Sequence, residues 1–312
     1  MILTSIEKDA LDVFRGEGSA AHKFSAPHSP DDWIHFCLVI LCQAGSMIRK
    51  KRLSPMTSQF HLKSDGSPVT TTDQAVEDFV RNELAKFCPD ATLVGEERGG
   101  ILPDHGPAMA IDPIDGTWAF LNRTETIATS LMVFHDKKPC LGMVFNPVSG
   151  ELGYGGENLS ARLIQISMFN EGDLGFDLPL EGNFSKSILV NLHPQRKAEA
   201  VMQYYYKMWR SKQIGMVQST GGSPSLALLE VAKGCFGYVN LWSKKPAAPY
   251  DLAAGIMLVR SAGGEVVDNH GEPIDLLDHT GPFIGAIKPE TAISLLPPLE
   301  NHIYTDIEST KT

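Results

Sequence analysis

The stretch that most constrains this chain is Ala110-Ile111-Asp112-Pro113-Ile114-Asp115-Gly116-Thr117, an apolar run that ends in two carboxylates. Met109 to Ile111 read as the end of a buried strand, and Pro113 stops it from continuing as a ladder. Gly116-Thr117 then opens a turn, and Trp118-Ala119-Phe120-Leu121 begins a helix. Such a turn aims both carboxylates, the carbonyl between them and the first free helix amides at one point. Hard divalent cations take oxygen ligands and phosphate favours helix N-termini, so the stretch reads as a metal-dependent phosphate site. A plainer use of the same residues is helix capping after a strand, where Asp is favoured.

A chain of 312 residues can bury one large core or two parts that share one. A formal charge of −10 leaves no excess of Lys and Arg to neutralise phosphates, which argues against non-specific nucleic-acid binding. It suits carboxylates gathered around metal ions, and equally ordinary solubility. The five cysteines, Cys37, Cys42, Cys88, Cys140 and Cys235, are odd in number and lack C-x-x-C spacing. They read as small buried residues in a reducing compartment, not as a disulfide or zinc framework. No apolar run reaches the ~18 residues of a membrane span, and the start of the chain lacks a signal-peptide pattern, so cytoplasm is the expected location.

Residues 1–30 are polar and mixed, and read as a poorly ordered lead-in. Asp31-Asp32 caps a helix over Trp33 to Arg52, whose last turn, Arg49-Lys50-Lys51-Arg52, reads as a solvated helix end rather than a nucleic-acid patch. Asp65-Gly66-Ser67-Pro68 is turn chemistry, and Asp73 precedes Ala75, Val76, Phe79, Val80 and Leu84 at helical spacing. Asp73 is thus a first-turn acid or a further carboxylate for the site. Ala91 to Glu97 reads as a strand ending in acids, and its end can neighbour that of the strand before Asp112 in one sheet. Thr129 to Phe134, Cys140 to Asn146 and Glu151 to Tyr154 read as an antiparallel meander, and residues 156–185 as a surface connection. A strand over Ser187 to Asn191 and a helix over Lys197 to Arg210 follow, the latter with Tyr204, Tyr205, Tyr206 and Trp209 as core or interface aromatics. Gly221-Gly222-Ser223-Pro224 precedes a helix from Leu226, Cys235 to Leu241 is a strand, and Asp251 stands in the first turn of a further helix. No P-loop pattern occurs.

Together, Lys63 to Asp73, Gly95-Glu96-Glu97, Asp112 to Thr117, and Tyr250-Asp251-Leu252-Ala253-Ala254-Gly255 followed by Ser261-Ala262-Gly263-Gly264 resemble the inositol monophosphatase family. That family belongs to a lithium-sensitive, magnesium-dependent phosphatase superfamily. The resemblance runs in order over roughly residues 31 to 290. It implies an α/β layered sandwich, αβαβα, commonly a homodimer, that hydrolyses small phosphate monoesters. An N-terminal α+β part, 31–185, would carry most metal ligands. A C-terminal α/β part, 186–312, would supply Asp251 and substrate contacts.

By the same resemblance, Glu96, Asp112 and the carbonyl of Ile114 would hold one Mg²⁺, and Asp112, Asp115 and Asp251 a second. Asp73 would act through water near a third. Thr117 would hydrogen-bond the attacking water, so Asp73, Thr117 and Glu96 are the expected catalytic residues. Lys63, the amides of Gly116 and Thr117, Gly222, Ser223 and Asn240 are the expected substrate contacts. Several features depart from the family. Tyr250 replaces a usual Trp, the loop Ser243 to Pro249 is longer, Asn240 stands where inositol-selective members place an acid, and a glycine-asparagine-glycine hairpin is not recognisable at 155–165. Inositol monophosphate is the leading substrate, with histidinol phosphate and 3′-phosphoadenosine 5′-phosphate as alternatives. A sugar bisphosphate would need a second basic cluster, for which Lys244-Lys245 is the candidate. A non-catalytic regulatory or scaffold role on the same fold is the alternative of another class.

Overall fold

The computed structural model describes residues 3–15, 27, 29–54, 59–167, 172–181, 186–191, 198–241 and 248–297. In chain order the elements are α1 Ser5–Arg15, α2 Pro30–Leu53, β1 Phe60–Leu62, β2 Pro68–Thr70, α3 Thr71–Phe87, β3 Thr92–Gly95, β4 Pro107–Asp115 and α4 Thr117–Leu121. The meander follows as β5 Ala128–His135, β6 Lys138–Asn146, β7 Glu151–Gly156, β8 Leu159–Gln165 and β9 Leu174–Asp177. Then come β10 Ser187–Val190, α5 Ala198–Arg210, β11 Met216–Ser219, α6 Pro224–Lys233 and β12 Gly237–Asn240. The last elements are α7 Ala253–Ser261, β13 Glu265–Asp268, β14 Phe283–Ala286 and α8 Pro289–Ser294.

Two sheets carry the architecture: a seven-stranded one in the order β3-β4-β5-β6-β7-β8-β9, and a five-stranded one in the order β11-β10-β12-β14-β13. Side-chain alternation along each strand sorts the core into layers. Met109 and Ile111 of β4, with Leu131 and Val133 of β5, face a cluster built on α1, α2 and α3. Ala108, Ala110, Met132 and Phe134 face the opposite way, onto α6 and α7 and through them onto Tyr238, Val266 and Phe283 of the second sheet. The outer face of that second sheet packs Ile188, Val190, Val239 and Ile284 against Val201 and Tyr205 of α5 and Ala292 of α8. The result is the expected αβαβα sandwich. Both faces of β4 and β5 are buried, which is why they read as continuous apolar runs. Gly142 on β6 lets α7 sit close, since a Cβ there would lie 2.8 Å from the Ala254 carbonyl oxygen.

Several expectations need correction. Residues 5–15 of the supposed lead-in form α1, with Ala10, Leu11, Val13 and Phe14 buried. Glu7, also buried, bonds Tyr154 (2.9 Å) and Arg162 (3.0 Å) and so pins α1 to the meander sheet. The cap of α2 is Ser29, with Asp32 as its reciprocal partner in a capping box, rather than Asp31-Asp32. Pro113 does not end β4; the strand continues to Asp115 through a register shift between Asp112 and Asp115. Proline is tolerated at such a bulge because the ladder is already interrupted there. The supposed surface connection 156–185 contains β8 and β9, which extend the meander sheet antiparallel. The cysteines are free, and only Cys37 and Cys42 are buried while Cys140 is exposed. Of the aromatics on α5, Tyr205 is buried, whereas Tyr206 and Trp209 are half exposed and 5.5 Å apart. Among the described residues no helix is long and apolar enough to cross a membrane. Lys244 and Lys245 lie outside the described residues.

Candidate active site

Strands β3 and β4 run parallel with Gly95 opposite Ile111, so the residues just past each register, Glu96 and Asp112, emerge side by side. The amide of Glu96 donates to the Ile111 carbonyl (3.2 Å), which fixes where its side chain starts. The bulge that follows lets Asp112 and Asp115 come from one strand without the strict alternation that would otherwise govern them. Asp112 Oδ1 accepts from the amide of Ile114 at 3.0 Å. The Ile114 carbonyl accepts from the Thr117 hydroxyl at 3.1 Å. Gly116 then takes φ +94°, the left-handed region, and a Cβ there would meet the Thr126 carbonyl oxygen at 2.9 Å. Only glycine fits this corner.

Each further element brings one group. Asp73 is the N3 residue of α3, and its Oδ2 closes a capping box with the Thr70 amide (2.9 Å) and hydroxyl. Its Oδ1 is buried and has no hydrogen-bond partner among the described residues. Asp73 is therefore a helix cap with one oxygen and an unpartnered buried acceptor with the other. Lys63, just past the β1 strand, donates to Glu96 (2.7 Å) and to Glu97 (2.9 Å). From the second half of the chain, Ser223 Oγ (2.8 Å) and the Ser225 amide (2.7 Å) both donate to Asp115 Oδ2. Asp251 lies in the turn before α7, not in its first turn as expected. That turn is tied down by the Ala248 amide on Asp251 Oδ2 (2.8 Å), the Ser225 hydroxyl on the Asp251 carbonyl (3.2 Å) and the Ser130 hydroxyl on the Tyr250 carbonyl (2.8 Å).

The electrostatics are those of carboxylates crowded out of water. Burial, with the charges of Glu96 and Asp115 beside it, pushes Asp112 well above the ordinary carboxylate range. Burial likewise raises Asp115 against the hydrogen bonds of Ser223 and Ser225. It lifts Asp73 to about 6 against its bonds to Thr70, and Glu97 to about 7 against its bond to Lys63. Burial opposes the Lys63 ammonium, but its contacts with Glu96 and Glu97 outweigh that and hold it charged. Among the described residues no group of three or more His, Cys, Asp or Glu side chains is placed so that it could hold a metal ion by itself. Mg²⁺ retains several waters and uses one or two carboxylates plus substrate oxygens, so the buried, mutually repelling pair Asp112 and Asp115 with a spare Asp73 oxygen fits it.

The structure thus gathers Lys63, Asp73, Glu96, Asp112, Ile114, Asp115, Gly116, Thr117 and Asp251 on linked segments. Ser223 joins them, but its hydroxyl is spent on Asp115 and on capping α6 through the Leu226 amide (3.1 Å). Gly222 stands next to it at φ +126° with open space around its Cα. Asn240 is the buried last residue of β12, opposite Phe283. Sequence reasoning missed Ser225 and Ser130, whose hydroxyls hold the Asp251 turn, and the buried Glu77 of α3 behind Glu97.

The chain belongs to the inositol monophosphatase family, whose family model matches residues 33–303, and is a phosphoric monoester hydrolase. It is similar to inositol monophosphatase 2 of Mus musculus, with 29% identity over 79% of this chain and 83% of that one. It is also similar to the Nus factor SuhB of Xylella fastidiosa, with 30% identity over 70% of this chain and 76% of that one. The fold matches the solved IMPase of Thermotoga maritima with a TM-score of 0.68 at 21% identity, over 88% of this chain and 99% of that one. The family match begins at Trp33, so α1 lies outside it.

Proposed function

We propose that this protein is a Mg²⁺-dependent phosphatase of small phosphate monoesters, with inositol monophosphate as its first candidate substrate. The observation that carries the reading is the set of acids Glu96, Asp112, Asp115 and Asp251 beside the Gly116 corner, of which Asp112 and Asp115 are buried and have their carboxyls raised by burial and by neighbouring negative charge. A cation would relieve that repulsion. Glu96, Asp112 and the Ile114 carbonyl are the residues to hold a first ion, Asp112, Asp115 and Asp251 a second, and Asp73 a third through water. Bound Mg²⁺ would neutralise phosphate oxygens and acidify a water. The chain's own groups would do the rest. Thr117 donates its hydroxyl proton to the Ile114 carbonyl, which leaves its oxygen to accept from an attacking water. The free oxygen of Asp73 is the nearby candidate to receive a proton or orient that water. The amides of Gly116 and Thr117 would hold phosphate oxygens, with Lys63 adding charge and Gly222, Ser223 and Asn240 bordering the leaving group.

Alcohol class is the open variable of this reading. The names of the relatives favour inositol monophosphate, while Asn240, Tyr250 and the lengthened loop distinguish this chain from inositol-selective members. Histidinol phosphate and 3′-phosphoadenosine 5′-phosphate remain alternatives. The likeness to a Nus factor supports a second reading, in which the fold serves a regulatory partner. A cytoplasmic homodimer with no membrane or nucleic-acid partner is part of the first reading. Phosphate release from inositol 1-phosphate, histidinol phosphate, 3′-phosphoadenosine 5′-phosphate and fructose 1,6-bisphosphate, with and without Mg²⁺, tests it. One Mg²⁺-dependent winner is expected. Silence on every member, with Mg²⁺ still bound, would favour the regulatory reading.

A further inference from the structure

One turn beyond Asp73 on α3 stands Glu77, a carboxylate with no exposed surface. A charge buried there must find partners, and it finds them in the turn after β3. Glu77 Oε2 accepts from the Glu97 amide (2.7 Å), while Oε1 accepts from the Arg98 amide (3.1 Å) and from Arg81 Nη2 (2.8 Å). Gly95 makes the approach possible, because a Cβ there would lie 2.1 Å from the Glu77 carboxylate. Arg81, a further turn along the helix, also donates to the carbonyls of Leu93 (3.2 Å) and Gly99 (3.4 Å), clasping both ends of the same turn.

Glu96 sits in the middle of this turn. Its carboxylate bonds Lys63, and its backbone position is set by the neighbours that Glu77 holds. Asp73 and Glu77 are on one helix, so α3 places the free Asp73 oxygen and the Glu96 turn as a single rigid unit. We propose that Glu77 is a positioning residue for the metal site: by receiving the Glu97 and Arg98 amides, it fixes Glu96 relative to Asp73 and Asp112. This rests on the metal-dependent phosphatase reading above. Charge is what makes the clamp strong, since two amides and a guanidinium converge on one carboxylate. Glutamine at this position would present an NH₂ to one of those amides and leave it unpaired.

The test is calorimetric titration of the full chain with Mg²⁺ alone, in parent, Glu77→Gln, Arg81→Gln and Val80→Ala forms, each checked for native circular dichroism. Loss of a partner behind a ligand weakens metal affinity roughly 10- to 100-fold, which is the expectation for Glu77→Gln. Arg81→Gln should weaken it in the same direction by a smaller factor, and it carries the test if Glu77→Gln does not fold. Val80 is buried on the same helix but faces the α1–α2 core, so Val80→Ala should lower the melting temperature without changing Mg²⁺ affinity. Parent-like affinity in both the Glu77 and Arg81 variants would overturn the proposal, as would equal weakening in Val80→Ala. A parent that binds no Mg²⁺ would sink the metal-dependent reading itself, and the proposal with it.

Discussion

The site is built by two arms of unequal stiffness. One arm, from β3, β4 and α3, delivers Glu96, Asp112, Asp115 and Asp73 from strand ends and a helix start inside a sheet buried on both faces. The other delivers Asp251 from a turn between β12 and α7, where Ala248, Ser225 and Ser130 donate hydrogen bonds to it. Groups on strands and helices are located more exactingly than groups on loops. The strand arm should therefore set the charge of the site, and the loop arm should tune it.

Replacing Asp112, which both expected ions share, should break the comparison most severely. Asp112→Asn keeps the acceptor for the Ile114 amide and removes the charge. Activity should fall by about a thousandfold or more, the equivalent of ~4 kcal/mol of lost transition-state stabilisation. Asp251→Asn should cost roughly a hundredfold, because the strand arm still offers its acids. Steady-state phosphate release at saturating Mg²⁺ checks both. Equal losses would mean that the two arms are equally committed.

The strand arm should also declare itself in the pH dependence of the metal-free protein. Asp73 is raised from 3.8 to about 6 and Glu97 from 4.5 to about 7, and Asp112 and Asp115 are raised as well. A carboxyl raised on folding binds its proton more tightly in the native state than in the unfolded one. Between the two values the native state holds more protons, so stability falls as pH rises, here from about 4 to about 7. Saturating Mg²⁺ should flatten that slope by binding the ionised form. Thermal unfolding from pH 4 to 8, with and without Mg²⁺, measures it. A metal-free protein whose stability rises through this window would contradict the picture of acids repelling one another.

How much of this was legible follows the same division. The strand arm lies in contiguous motifs, so Asp112, Asp115, Glu96 and the glycine corner could be read from local spacing. The run through Pro113 could not, because a bulge is decided by the partner strand, β5, and not by the residues of β4. Helix α1 was hidden by its polar exterior, although Ile6, Ala10, Leu11, Val13 and Phe14 do repeat on one face. Strands β8 and β9 were obscured because glycines and acids dominate the surrounding stretch, and β9 lies at the sheet edge. Glu77 had a visible signal, an acid four residues after Asp73 between the buried Val76 and Val80. Ser225 had none, since its role depends on α6 and the Asp251 turn meeting in space.

The finest test of the two arms uses two serines on either side of Pro224. Ser223 donates its hydroxyl to Asp115 and caps α6, whereas Ser225 donates its amide to Asp115 and places its hydroxyl between the Asp251 carbonyl and Asp115. Ser223→Ala therefore strips a charge-assisted bond from the strand arm. It should weaken Mg²⁺ about tenfold, with ~1 kcal/mol of stability lost from the cap. Ser225→Ala leaves the amide on Asp115 and takes away the hydroxyl that holds the turn carrying Asp251. A neutral hydrogen bond is worth ~1 kcal/mol, so the Mg²⁺ affinity should drop by no more than about fivefold. Because Ser130 and Ala248 still hold the turn, the loss should be smaller still when both arms are saturated with metal. Calorimetric Mg²⁺ titration of the two variants ranks them directly. A larger loss in Ser225→Ala than in Ser223→Ala would reverse the assignment of stiffness, making the Asp251 turn the part of the site on which metal binding depends.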